Sequence, residues 1–224
     1  MELAALLELL YSASDRSRTV LATVHRRNQP LRELELLRAR GLYHDPPPIP
    51  PEEGSWPQPA QILETTTRLW AARPDWLRWE STFRGDGMEE RRSVGVKNGE
   101  LFWHRFADDE VHTNEGREMG GTMTTDEERL LDPSPLLGVY RFELRSPTTL
   151  LGRRALEVTA QRRLGARERD FGPFDDDLAL VVDEERGVLL RLAVVVEGEE
   201  ISFSEMVDIA FDEPIQPDLF RPPR

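Results

Sequence analysis

The sequence contains no cysteine and a single lysine, Lys97, among its 29 basic residues. Without thiols, disulfides, thiol nucleophiles and cysteine-ligated metals are excluded. The remaining basic residues are arginines, a usage we read as the base composition of a GC-rich genome. Long apolar runs are also missing. No stretch approaches 18 apolar residues, so nothing reads as a transmembrane helix. Positive charge is scarce against 42 acidic residues, and the formal net charge of −13 argues against nucleic acid or anionic membrane surfaces as partners. The N-terminal MELAALLELLYSAS lacks a basic n-region and carries Glu2 and Glu8, so it does not read as a signal peptide. The chain as given therefore reads as cytoplasmic, or as exported if a leader has been removed.

What is present is a chain of 224 residues with 38% apolar composition, enough for a real core. It predicts one domain over 1–224. Residues 45–59, DPPPIPPEEGSWPQP, interrupt it as a stiff proline-rich surface loop. Leu3, Leu6, Leu7 and Leu10 recur at helical spacing, which predicts an amphipathic helix over 2–12. Residues 19–41 predict two strands around Asn28-Gln29-Pro30. From about residue 62 the pattern is β. ETTTRLW and WLRWESTF flank Arg73-Pro74-Asp75, and RRSVGV and ELFWHRF flank Asn98-Gly99. Thr125-Asp126-Glu127-Glu128 matches a capping box, and Asp132-Pro133-Ser134-Pro135 fits the start of a second short helix. Strands resume with GRRALEVTAQRR, DLALVVD, GVLLRLAVVV, EEISF and VDIAF.

Two glycine turns predict registers. With Asn98-Gly99 as the turn, Val96 faces Leu101, Val94 faces Trp103 and Arg92 faces Arg105. With Gly198-Glu199 as the turn, Val196 faces Ile201, Val194 faces Phe203 and Leu190 faces Val207. A three-residue loop before Val188 then makes 178–211 a meander with one continuous apolar face. That register places Glu205 opposite Leu192, in the middle of the apolar row Ile201, Phe203, Val207, Ile209 and Phe211. A lone buried carboxylate costs several kcal/mol. Three readings follow: a β-bulge turns Glu205 outward, an arginine pairs with it, or the row is a cavity wall and Glu205 a polar contact in it.

Three stretches resemble the LolA-like superfamily, which comprises outer-membrane lipoprotein carriers, related actinobacterial lipoproteins and the N-terminal domain of RseB/MucB-type regulators. They are the N-terminal helix followed by long strands, GRRALEV after LLDPSPLLGVYRFEL, and the closing run LALVVDEERGVLLRLAVVVEGEEISFSEMVDIAFDEPIQPDLFRPP. In the closing run Asp183, Gly187, Leu190 and Arg191 take the hairpin positions. Phe211, Asp212, Ile215, Phe220 and Pro222 take the end. The resemblance implies a divergent, actinobacterial-type member of α+β, mainly antiparallel fold: a strongly curved half-barrel sheet wrapped around a few helices. It further implies a concave cavity that takes acyl chains in carriers and lipids or peptides in regulators.

On this basis the expected function is non-catalytic binding of an apolar or amphipathic ligand in the concave face, at Glu205, Arg92, Arg105, Trp79, Phe83, Trp103, Leu192 and Phe203. The alternatives are a regulatory protein-interaction module with a self-filled cavity and a small-molecule enzyme on the same fold. No cofactor, catalytic group or metal site is expected. His104, Asp108, Asp109 and His112 are acceptable metal ligands whose spacing matches no ligand motif, and His25 and His44 are isolated. RGDG at 84–87 and MGG at 119–121 read as turns.

Overall fold

In the computed structural model, residues 1–41, 61–73, 75–99, 101–106, 111–115, 126–163 and 177–222 are described. The proline-rich stretch 45–59, His44, Asp108, Asp109 and 119–121 lie outside them.

The described strands are β1 (Thr19–Asn28), β2 (Leu63–Ala72), β3 (Trp76–Gly85), β4 (Arg91–Asn98), β5 (Leu101–Phe106), β6 (Val111–Glu115), β7 (Tyr140–Leu150), β8 (Arg153–Arg162), β9 (Asp177–Asp183), β10 (Leu189–Val196) and β11 (Glu199–Phe211). They form one curved, unclosed antiparallel sheet of eleven strands, ordered β6-β5-β4-β3-β2-β1-β11-β10-β9-β8-β7. The chain builds the sheet in two meanders. The first runs from β1 to the β6 edge. The chain then passes through α3 (Asp126–Leu131) and α4 (Leu136–Val139) to the opposite edge, and the second meander returns from β7 to lay β11 beside β1.

On one face, which we take as concave, α1 (Leu3–Tyr11), α3 and α4 pack on the sheet. Leu6, Leu10, Leu130 and Leu136 are at most 1% exposed, in a core with Val24, Leu69, Phe142, Val158, Leu180 and Leu190. Burying each such leucine is worth roughly 1.5–3 kcal/mol. Lys97 on β4 pairs with Glu128 of α3 at 2.7 Å, and Thr67 on β2 donates to Glu127 at 3.3 Å, so α3 is tied to the strands beneath it.

Where 19–41 predicts two strands, the second element is a helix, α2 (Pro30–Ala39). Proline at its first position has the right φ and no N–H to lose, a start signal that outweighs the alternating look of LRELEL. Leu36 anchors α2 against Val196 and Ile201.

The β4–β5 hairpin is slipped by two residues from the predicted register. Asn98 pairs with Leu101, Val96 with Trp103 and Val94 with Arg105, with Gly99 at φ 57 in the turn. An even slip leaves each side chain on its predicted face. It does separate Arg92 from Arg105: Arg92 lies opposite Thr82 and pairs with Glu90 at 3.0 Å.

The β10–β11 register changes by an odd number, which matters more. Glu197 and Gly198 both take positive φ, Val196 pairs with Glu199, and Ile201 is left without a register partner between Glu200 and Ser202. On the β1 side a second irregularity leaves Val207 between Met206, opposite Val24, and Asp208, opposite Thr23. The middle of β11 is therefore turned over relative to its ends. Met206 points into the core, whereas Phe203, Glu205 and Val207 face the other way. Leu190 is fully buried and Val207 is 48% exposed, so the two do not share a face as the predicted meander required. The predicted three-residue loop before Val188 is also longer. Val182 and Leu189 pair across residues 183–188, and a further shift between Leu189 and Arg191 restores Leu178, Leu180 and Leu192 to one face.

The positions that carry the LolA-like resemblance hold the fold together. Asp183, fully buried, accepts from the N–H groups of Glu185 and Arg186 and from the Arg153 guanidinium. Gly187, at φ 75, lies where a Cβ would meet the Leu9 carbonyl oxygen of α1 at 2.4 Å. The guanidinium groups of Arg153 and Arg186 both lie over the Phe211 ring, 4.9 and 5.1 Å from its centre. Asp212 accepts from the Arg18 N–H at 2.7 Å and from Arg186 at 2.9 Å, and these bonds hold its carboxyl below the ordinary range, the Arg18 bond foremost.

Candidate functional site

The alternation of the strands assigns each sequence-predicted residue to a face. Trp79, Phe83 and Leu192 lie on the concave side. Arg92, Trp103, Arg105, Phe203 and Glu205 lie on the convex side. The structure therefore does not bring the eight together. The apolar wall Val94, Val96, Leu101 and Trp103 is a real surface, but it belongs to the convex face.

On the convex face, Glu205 lies opposite Arg191 rather than Leu192, and the pair closes at 3.1 Å. Arg191 also donates to Glu200 at 2.6 Å and sits 5.0 Å above the Phe203 ring, which His25 meets edge-on at 5.8 Å. Two of the three readings for Glu205 thus hold together: irregular register turns it outward, and an arginine pairs with it. The Glu205 side chain is 33% exposed, so solvent screens the pair. Glu205→Leu should change unfolding free energy by no more than about 1 kcal/mol in urea denaturation. A loss of several kcal/mol would show that the carboxylate sits in a buried network instead.

On the concave face the β3–β5 half is built differently from the rest. Trp79 lies across Gly95, so close that a Cβ there would sit 1.9 Å from the indole. Its ring neighbours are Phe102 at 5.8 Å and His104 at 5.9 Å, the latter stacked. Beside them runs a row of buried hydroxyls on adjacent strands: Thr67, Ser81 and Ser93, with Thr67 and Ser81 hydrogen-bonded at 2.9 Å. Phe83 and Phe102 are only half-buried here. This wall offers aromatic surface, hydroxyl groups and one ammonium, Lys97. That is the chemistry of binding an apolar or amphipathic group. Sequence reasoning assigned Phe102, His104 and Gly95 to a common face but took the other face for the interior. The available signal was Gly95 itself, since glycine inside a strand often marks the close approach of something bulky.

Among the described residues no three His, Asp or Glu side chains group to hold a metal ion. His104 and His112 are register partners across β5–β6. No described helix is long and apolar enough to cross a membrane.

A curved, unclosed antiparallel sheet with helices on its concave face defines a LolA-like fold. Neither a family model nor a curated protein sequence matches the chain. Among solved structures it is similar to MucB, with TM-score 0.54 and 14% identity over 98% of this chain and 62% of that one. It is similar to the Pseudomonas aeruginosa MucA/MucB complex at 0.52 and 14%, over 97% of this chain and 60% of that one. The lipoprotein LppX of Mycobacterium tuberculosis follows at 0.48 and 10%, over 96% and 99%. The chain thus spans about three-fifths of the length of the MucB chains. At these identities the likeness establishes the fold alone.

Proposed function

We propose that this chain is a non-catalytic protein-interaction module whose concave face is filled by its own helices. The observation that carries this reading is the packing of Leu6, Leu10, Leu130 and Leu136, all but fully buried, against the concave side of β1 and β7–β10. Helices seated this tightly leave that half of the curve little room for an acyl chain, because a well-packed core admits extra volume only at a cost of about 1–3 kcal/mol. MucB, of similar fold, has been crystallised in complex with MucA(peri).

A second reading has its own observation. Phe83 and Phe102 stay half-exposed beside Trp79 and Lys97, so the β3–β5 half of the same face offers a surface for an apolar or amphipathic ligand.

Native mass spectrometry of the chain purified from cells, with and without chemical cross-linking, separates the two. The first reading expects the bare 25.8 kDa chain and a stoichiometric cross-linked protein partner. A lipid or acyl adduct that disappears in Phe102→Ala would sink it in favour of the second.

A further inference from the structure

Asn98 and Gly99 sit where the β4–β5 hairpin turns. Asn98 is the last paired residue of β4, opposite Leu101, and Gly99 follows it at φ 57, exposed to solvent. A Cβ on Gly99 would meet nothing within 4 Å, so there is open space beside its backbone. Among the described residues no group accepts from the Gly99 N–H. The chain has three asparagines, and only this one precedes a glycine; Asn28 precedes Gln29 and Asn114 precedes Glu115. Glycine has no Cβ, so its amide nitrogen is the least hindered in approaching the side chain before it.

The Asn98 side chain also holds something. Beyond Phe211 the chain leaves the sheet and reaches β3 and β4 on the convex face, where it makes a 3-10 turn, Pro217–Phe220. Phe220 is 1% exposed and packs on Trp76, with ring centres 5.5 Å apart. Arg78 donates to the Leu219 carbonyl at 3.0 Å, and the Asn98 amide donates to the Phe220 carbonyl at 3.4 Å. The second bond needs a donor. A side-chain amide supplies one, and an ionised carboxylate has none.

We propose that Asn98 is a self-modifying site, at which deamidation in water loosens the C-terminal turn from the sheet. The Gly99 nitrogen attacks the side-chain carbonyl carbon of Asn98. A C–N bond forms there and the bond to the side-chain nitrogen breaks. That nitrogen leaves as ammonia, taking up the proton of the Gly99 amide. Water then opens the cyclic imide at one of its two carbonyl carbons. Opening at the side-chain carbon gives aspartate on an unchanged main chain. Opening at the backbone carbon gives isoaspartate, with the main chain rerouted through the former side chain and lengthened by a methylene at the pair that closes the hairpin. Either product replaces the donating amide by a carboxylate, which only accepts, so the Phe220 carbonyl loses its partner. The reaction lies on the convex side of the sheet and is independent of what the concave face binds.

In the test, the full chain is held in mildly alkaline buffer, sampled over time, digested with pepsin in acid and mapped by mass spectrometry. The mass gain of amide-to-acid conversion is expected in the peptide holding Asn98, well before the peptides holding Asn28 and Asn114. Gly99→Ala, whose new methyl meets open space, should all but abolish it. Hydrogen exchange reads the loosening. The Leu219 and Arg221 N–H groups are bonded inside the turn, to the carbonyls of Gln216 and Asp218. Their exchange should be about tenfold faster in the converted chain, and in freshly made Asn98→Asp, than in the unconverted chain. Gly99→Ala held in the same buffer should keep the slow exchange. Conversion at Asn98 no faster than at Asn28 and Asn114 overturns the proposal, as does conversion unhindered in Gly99→Ala. Exchange at Leu219 and Arg221 that stays slow in both the converted chain and Asn98→Asp overturns it too.

Discussion

Gly187→Ala should destabilise the protein by about 2–5 kcal/mol. The residue sits at φ 75, where a side chain costs about 1–2 kcal/mol. The new methyl would also stand 2.4 Å from the Leu9 carbonyl oxygen and 3.1 Å from the Leu9 Cγ. Leu9 is buried near the end of α1, so neither the backbone oxygen nor the side chain can step aside without moving the helix, and overpacking of this kind adds about 1–3 kcal/mol. At this size of protein the melting temperature should fall by roughly 10 °C. Thermal and urea denaturation measure both. Gly198→Ala is the control: it has positive φ but no neighbour within 4 Å, so it should cost only the backbone part. Equal losses at the two sites would show that α1 does not rest on the Gly187 turn.

The second large effect is expected at Arg153. Its guanidinium bonds the fully buried Asp183 carboxylate and reaches Glu185 at 3.0 Å. Arg153→Ala leaves that carboxylate with only the Glu185 and Arg186 N–H groups as partners. Removing one member of a buried pair typically costs about 3–5 kcal/mol, because the other charge is left uncompensated. The arginine also lies over the Phe211 ring, so packing is lost with the charge. Asp183→Asn combined with Arg153→Ala should cost less than the sum of the two single changes, since the double variant buries no unpaired charge. Strict additivity in urea denaturation would mean that the two residues act independently.

How much of this was legible beforehand can be argued residue by residue. Long strands with glycine turns fix element type well, and the α1 leucines and the two interior helices carry their own signals in spacing and caps. The LolA-like architecture follows from these. Faces are harder. In β11 the apolar residues Ile201, Phe203, Val207, Ile209 and Phe211 keep one alternation interrupted only at Glu205, yet two local irregularities turn the middle of the strand over. Nothing in a period-two pattern records an inserted residue, and the one discordant letter, Glu205, was the only trace of it. The β4–β5 hairpin shows the milder case, in which a slip of two changes partners but no faces. Which apolar face looks inward was not legible at all. Val94, Val96 and Trp103 are as oily as any interior row, and on their face the strands β3 and β4 meet a C-terminal turn that is distant in sequence. The candidate site changed accordingly: it keeps Trp79 and has Phe102 and His104 beside it in place of Trp103.

The order of the strands has a consequence for how the molecule is made. β1 leaves the ribosome well before β11, one of its two neighbours in the sheet. Until residues 199–211 have been synthesised, β1 has an open edge and the two halves of the sheet share no hydrogen bonds. α1 waits as well, for the Gly187 turn that receives Leu9. Such long-range closure makes folding slow and leaves an unpaired strand edge exposed in the nascent chain.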